Sequence, residues 1–202
     1  MQIKTLFLGM GLILAGFNLS AQNKVNEHLA TAKSQYAAKN LEDTRFALQQ
    51  ALTEVDIMIG KLILEKMPAQ WSDMKAIIDK DEHVGSSQGF AGVYVFRNYE
   101  SSAEPKKTAE ITLINDSPLL AGVNAFLSMP MAVALSGRKT IKVDGYKGML
   151  ERVENAQPTE YNINFPFGQS LLSFRFQGID DENTIIKLVD EIPVGEIIKL
   201  AN

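Results

Sequence analysis

Residues 159–177 read TEYNINFPFGQSLLSFRFQ, and this stretch decides the fold class. Tyr161, Ile163 and Phe165 recur at every second position, and Leu172, Phe174 and Phe176 do the same further on. A period of two is that of a strand, whose successive side chains point to opposite faces of a sheet. Pro166-Phe167-Gly168 supplies turn residues between the two runs. Two strands, Thr159 to Phe165 and Ser170 to Gln177, joined by a tight turn are therefore expected.

Four more stretches extend the pattern outward. Gly92 to Tyr99, Thr108 to Ile114, Lys139 to Val143 and Lys147 to Val153 are rich in strand formers. They are separated by turn signals at Glu104 to Lys107, Gly145, and Asn155 to Pro158. After the second of these strands, Asp116-Ser117-Pro118 opens a helix, with Ser117 as cap and Pro118 in the first turn. That helix runs through Leu119, Leu120, Val123, Phe126 and Leu127, is divided by Pro130, and closes at Gly137. Asp180 to Glu191 reads as a helix with acids at its positive end, and Pro193 opens a short one to Leu200. Antiparallel strands with segregated helices make this an α+β domain over residues 92–202. Its mostly antiparallel sheet has about six strands, a helix inserted after the second, and helices at the C-terminus.

Upstream, Val25, Leu29, Ala32 and Tyr36 lie three or four apart, and Leu41, Leu48, Leu52, Val55, Ile59 and Leu62 form a longer stripe that Pro68 ends. The short break at Lys39-Asn40 predicts an antiparallel helical hairpin over 22–78, and the polar stretch 79–91 reads as a loop. At the start, Lys4 precedes an apolar run from Leu6 to Phe17 and then Leu19-Ser20-Ala21. That order is a signal peptide over 1–21, and its apolar run is too short to span a bilayer. A periplasmic or secreted protein with no membrane span after cleavage is expected.

The chain has no cysteine, which excludes disulfides, thiol catalysis, Cys-type zinc sites and a cysteine-borne lipid. With 24 acidic against 20 basic side chains it offers no electrostatic case for nucleic acid.

Two resemblances accompany these readings. Ala32, Tyr36, Asn40, Leu41, Ala47 and Ala51-Leu52 resemble one degenerate tetratricopeptide repeat, which implies a partner-binding helical module. Stacked repeats need about three copies, and no second copy is found. From Met67 onward, Pro68, Trp71, Asp116-Ser117-Pro118-Leu119-Leu120, Gly137, Lys142-Val143-Asp144-Gly145, Gly178 and Ile192-Pro193 resemble a group of uncharacterised exported bacterial proteins. This second resemblance implies the hairpin-plus-sheet fold and brings no catalytic residue with it.

Candidate chemistry is sparse. Gly85-Ser86-Ser87-Gln88-Gly89 has the written form G-x-S-x-G, but it follows a charged loop and precedes a strand, whereas a nucleophile elbow joins strand to helix. The histidines are His28 and His83, so a hydrolase on this loop is the catalytic alternative without its required context. Asp79, Asp81, Glu82 and His83 have neither the spacing of a calcium loop nor enough nitrogen ligands for zinc. No metal or cofactor is expected. The nearly all-apolar segment Leu119 to Leu135 carries Met129 and Met131, and methionines adapt well at binding surfaces. Phe126, Met129, Met131, Phe165 and Phe167 are expected to line an apolar groove. The expected function is a non-catalytic exported protein that binds a protein partner or an apolar ligand, or else a structural subunit of an envelope complex.

Overall fold

The computed structural model describes residues 8–85, 92–129 and 138–202, with side chains from Gln22 onward. The chain forms two units, one ending at Met58 and one running from Ile59 to Asn202.

The first unit holds helix α1 (Leu8–Ala37) and most of α2 (Leu41–Lys66). Lys39 turns the chain with a φ of 60°. Asn40 caps α2, its Oδ1 accepting from the Asp43 amide at 3.3 Å. Lys24 reaches Glu54 at 3.5 Å, so the helices run antiparallel as a hairpin requires. Among the described side chains of this unit, the buried apolar ones are alanines: Ala32, Ala47 and Ala51. The stripe read from the sequence points elsewhere. Leu41, Leu48, Leu52 and Val55 are exposed, Leu52 at 61%. Ala47 and Ala51 precede Leu48 and Leu52 by one residue, a rotation of about 100° around the helix. Small side chains take the inside, and the large ones are turned outward.

The second unit is built on one antiparallel sheet. Its strands among the described residues are β1 (Gln70–Trp71), β2 (Met74–Ala76), β3 (Glu82–Val84), β4 (Tyr94–Ser101), β5 (Thr108–Asn115), β6 (Arg138–Val143), β7 (Tyr146–Val153), β8 (Glu160–Phe167) and β9 (Ser170–Gln177). They are ordered β1-β2-β4-β5-β9-β8-β7-β6, with β3 beside β2 on the outer edge of β4. The α+β class and the antiparallel sheet agree with the sequence reading, but there are nine strands rather than about six. The three additional strands are only two or three residues long, too short to display alternation, and they fall within the stretches read as hairpin and loop.

After β5 the chain crosses to the far edge at β6, and helix α3 (Leu120–Ser128) on that crossover packs on β7 and β8. The Ser117 hydroxyl accepts from the Leu119 amide at 3.3 Å in the turn before it. Helices α4 (Glu182–Asp190) and α5 (Val194–Ala201) follow β9. Asp181 caps α4, accepting from the amides of Asn183 and Thr184.

The main core joins one face of the sheet to α4, α5 and the last turn of α2. Phe165, Phe174, Phe176 and Trp71 are almost wholly buried there, with Ile63, Ile185 and Ile197 from the helices. The Trp71 indole donates to the Leu188 carbonyl at 2.9 Å, tying the short β1 to α4. Arg97 is buried in the same unit. Its guanidinium donates to the carbonyls of Leu64 and Met67 at the end of α2 (3.0 and 2.7 Å) and pairs with Asp81. The Leu64 carbonyl also accepts from the Met67 amide at 3.1 Å, so Arg97 adds a second bond at this helix end, and a buried charge needs every bond it can make.

Candidate functional site

Alternation gives the sheet a second face, and its composition changes steadily along the strands. Strand register aligns Ile114 on β5 with Leu171 on β9 and Pro166 on β8 in one cross-strand row. Two residues along, the row is Thr112, Ser173, Asn164 and Met149. Two residues further, it is Asn98, Glu110, Arg175, Asn162, Glu151 and Arg138. At about 3.4 Å per residue, the apolar row and the charged row lie about 14 Å apart.

Helix α3 covers the apolar end. Val123 and Phe126 pack with Met149 and Leu171 in a second, smaller core on this face, with Ile114, Leu120 and Leu127 around it. In the middle row, the Ser173 hydroxyl donates to the Asn164 side-chain carbonyl at 2.7 Å. In the charged row, Arg175 sits 3.2 Å from Glu110, and its Nε lies 3.2 Å from Glu160. Arg138 pairs with Glu151 at 2.7 Å, and its guanidinium carbon lies 5.8 Å from the centre of the Phe126 ring. Burial alone would push the Glu160 carboxyl up. Hydrogen bonds from Gln177 and Arg175 outweigh that and hold it below the usual carboxylate range. Among the described residues, the buried side-chain polar atoms without a hydrogen-bond partner are Asn98 Oδ1 and Arg138 Nε, from the first and last members of this row. Buried polar atoms are normally satisfied, so exceptions at both ends of one row mark it out.

Between α3 and these rows lies a groove of about 590 Å³. Leu119, Gly122 and Val123 form one wall, the sheet residues form the floor, and Glu110, Arg175, Glu151 and Arg138 surround the polar end. A Cβ added at Gly122 would meet nothing within 4 Å, so the glycine leaves the wall open.

The residues named from the sequence are distributed differently from the groove expected. Phe126 lies in the α3 cluster, buried, and Met129 caps the end of α3 with 59% of its surface exposed. Phe165 and Phe167 belong to the main core on the opposite face, so the sheet stands between them and Phe126. Met131 lies outside the described residues, as do Ser86 to Gly89 of the serine loop and Pro130 and Gly137 of the predicted helix. His83 is half-buried on β3. Desolvation, helped by Lys61 and opposed by Asp81, lowers its pKa below the ordinary value of 6.5. Sequence reasoning missed Thr112, Ser173, Asn164, Glu110, Arg175, Glu151 and Arg138. Their signal was present as the polar positions interleaved with the apolar ones on each strand.

Among the described residues, no helix is long and apolar enough to cross a membrane, and no group of three or more His, Asp or Glu side chains converges as a metal site would require. No family model matches the chain, and no curated protein does. Among solved structures, the solution structure of cyanobacterial PsbP (CyanoP) from Synechocystis is similar over 63% of this chain and 94% of that one, at 11% identity and a TM-score of 0.30. At that score the likeness bears on neither fold nor function.

Proposed function

We propose that the protein is an exported, non-catalytic binding protein that holds one amphiphilic molecule between α3 and the outer face of the sheet. The observation that carries this reading is the gradient along the groove, from Ile114, Leu171 and Val123 through Thr112 and Ser173 to Glu110 and Arg175. The groove volume falls inside the range of about 300–1,000 Å³ common to small-molecule sites. Binding is favoured over turnover because the Ser173 hydroxyl at its centre donates to an amide rather than to a base. Neither histidine lines the groove. Export rests on the order of Lys4, the apolar run to Phe17, and Leu19-Ser20-Ala21.

The neutral fluorophore N-phenyl-1-naphthylamine tests the site. Its emission is expected to rise on mixing with the protein and to stay low with Gly122→Leu, whose side chain enters the groove while the melting temperature holds. Equal emission with both proteins would sink the reading. Sequencing the N-terminus of the envelope-extracted protein tests export. A start at or near Gln22 supports it, and an intact Met1 overturns it.

A second reading is favoured by the hairpin. Leu41, Leu48, Leu52 and Val55 are exposed along one side of α2, the spacing by which helices pair. A protein partner there would make the molecule a subunit of an envelope assembly. Such a partner should co-purify in stoichiometric amount and be lost from the Leu48→Glu, Leu52→Glu double variant.

A further inference from the structure

We infer that the polar end of the groove selects a zwitterionic head group, so that the occupant is a single-chain zwitterionic amphiphile. This rests on the groove being the binding site. The charged side chains lining it are two carboxylates and two guanidiniums, Glu110, Glu151, Arg138 and Arg175. They are not segregated by sign. Across the strands the row runs Glu110, Arg175, Asn162, Glu151, Arg138, each carboxylate beside a guanidinium, with strands about 4.8 Å apart. The lining is therefore electroneutral in total and strongly dipolar in detail.

A head group with a single charge fits such a row badly. An anion drawn to Arg175 approaches Glu110 and Glu160, both 3.2 Å from that guanidinium. A cation drawn to Glu110 approaches Arg175. An uncharged head gains little from either. A head carrying both signs, laid across the strands against the Glu110–Arg175 dipole, meets an opposite charge at each end. It also leaves the pairs of the protein intact, so no charge is buried alone. The side chains of Arg175, Arg138, Glu151 and Glu110 keep 43%, 38%, 30% and 29% of their surface exposed, so they are accessible to a ligand entering from solvent. The groove takes one drug-sized molecule, which favours one chain lying towards Val123 and Leu171.

Displacement of N-phenyl-1-naphthylamine by a series with a common dodecyl tail, each member below its micelle-forming concentration, tests the inference. The members are dodecylphosphocholine, the dodecyl sulfobetaine, dodecanoate, dodecyltrimethylammonium and dodecyl maltoside. The two zwitterions differ in which charge is outermost, so their ranking shows whether a phospholipid-type or a betaine-type head is read. At least one of them is expected to bind about two- to fivefold more tightly than any other member, since it gains two partly exposed charge contacts where the others gain one or none. Glu110→Gln should raise dodecanoate towards the zwitterions. Glu151→Gln makes the same test at the other pair if the first variant melts early. A preference for dodecanoate, dodecyltrimethylammonium or the maltoside, or an unchanged ranking in the folded glutamine variant, overturns the head-group assignment. Failure of every member to displace the probe, or equal displacement from Gly122→Leu, overturns the groove itself.

Discussion

Gly148 shows how closely single positions are fitted. It lies on β7 beneath Phe165, and a Cβ built there would come 2.6 Å from the Phe165 ring. Phe165 in turn meets Phe174 edge-on, with ring centres 5.9 Å apart. Gly148→Ala must push that ring out of its place and is expected to cost about 1–3 kcal/mol, as overpacked cores do. Urea unfolding measures it, and an unchanged midpoint would show that the ring moves freely. At this scale the sequence was legible in parity but not in side. It showed that Tyr161, Ile163 and Phe165 share a face. It did not show that this face meets α4 and α5 while Phe126 lies across the sheet, because that depends on where distant helices pack. Arg97 was unreadable for the same reason: its partners are carbonyls about 30 residues earlier in the chain.

Elements were legible in proportion to their length. Strands β4, β5, β7, β8 and β9 have eight residues each, enough for alternation to declare itself. Two-residue β1 is held by the Trp71 indole and the core around it, which no local pattern announces. Strand β8 runs through Pro166, where the reading had placed a turn. The ladder to β7 ends at Asn164, so the proline pairs with Leu171 on β9 and has no partner strand on its β7 side. On α2 the periodicity showed the leucine stripe but not that the alanines beside it are the buried positions. Ala51→Leu is therefore expected to lower the stability of the hairpin by about 1–3 kcal/mol. Leu52→Glu, one residue on and exposed, should change it by about 0.5 kcal/mol or less. Thermal melts followed by helical circular dichroism compare the two, and the opposite order would restore the leucine stripe as the packing face.

For the molecule as a whole, pH is a lever. Desolvation disfavours charged His83 in the folded state, with Lys61 adding to the effect and Asp81 opposing it. The unfolded chain then takes up the proton first as pH falls below about 6.5, so stability declines through that window down to the lowered folded pKa. His83→Gln should flatten the fall in melting temperature between about pH 7 and pH 5.5. A parallel fall in both proteins would exclude His83 as its source. Glu160 and Asp73, also held below their usual range, shift stability in the same direction but in a more acidic window.

Neighbouring positions on one strand thus answer to different demands. Along β9, Leu172, Phe174 and Phe176 are fixed by the core, whereas Ser173 and Arg175 face the groove. A lineage could exchange the second set and change the chemistry of the groove without relearning how to fold. Saturation mutagenesis scored separately for folded abundance and for binding of N-phenyl-1-naphthylamine would print that division as two interleaved combs, offset by a single residue.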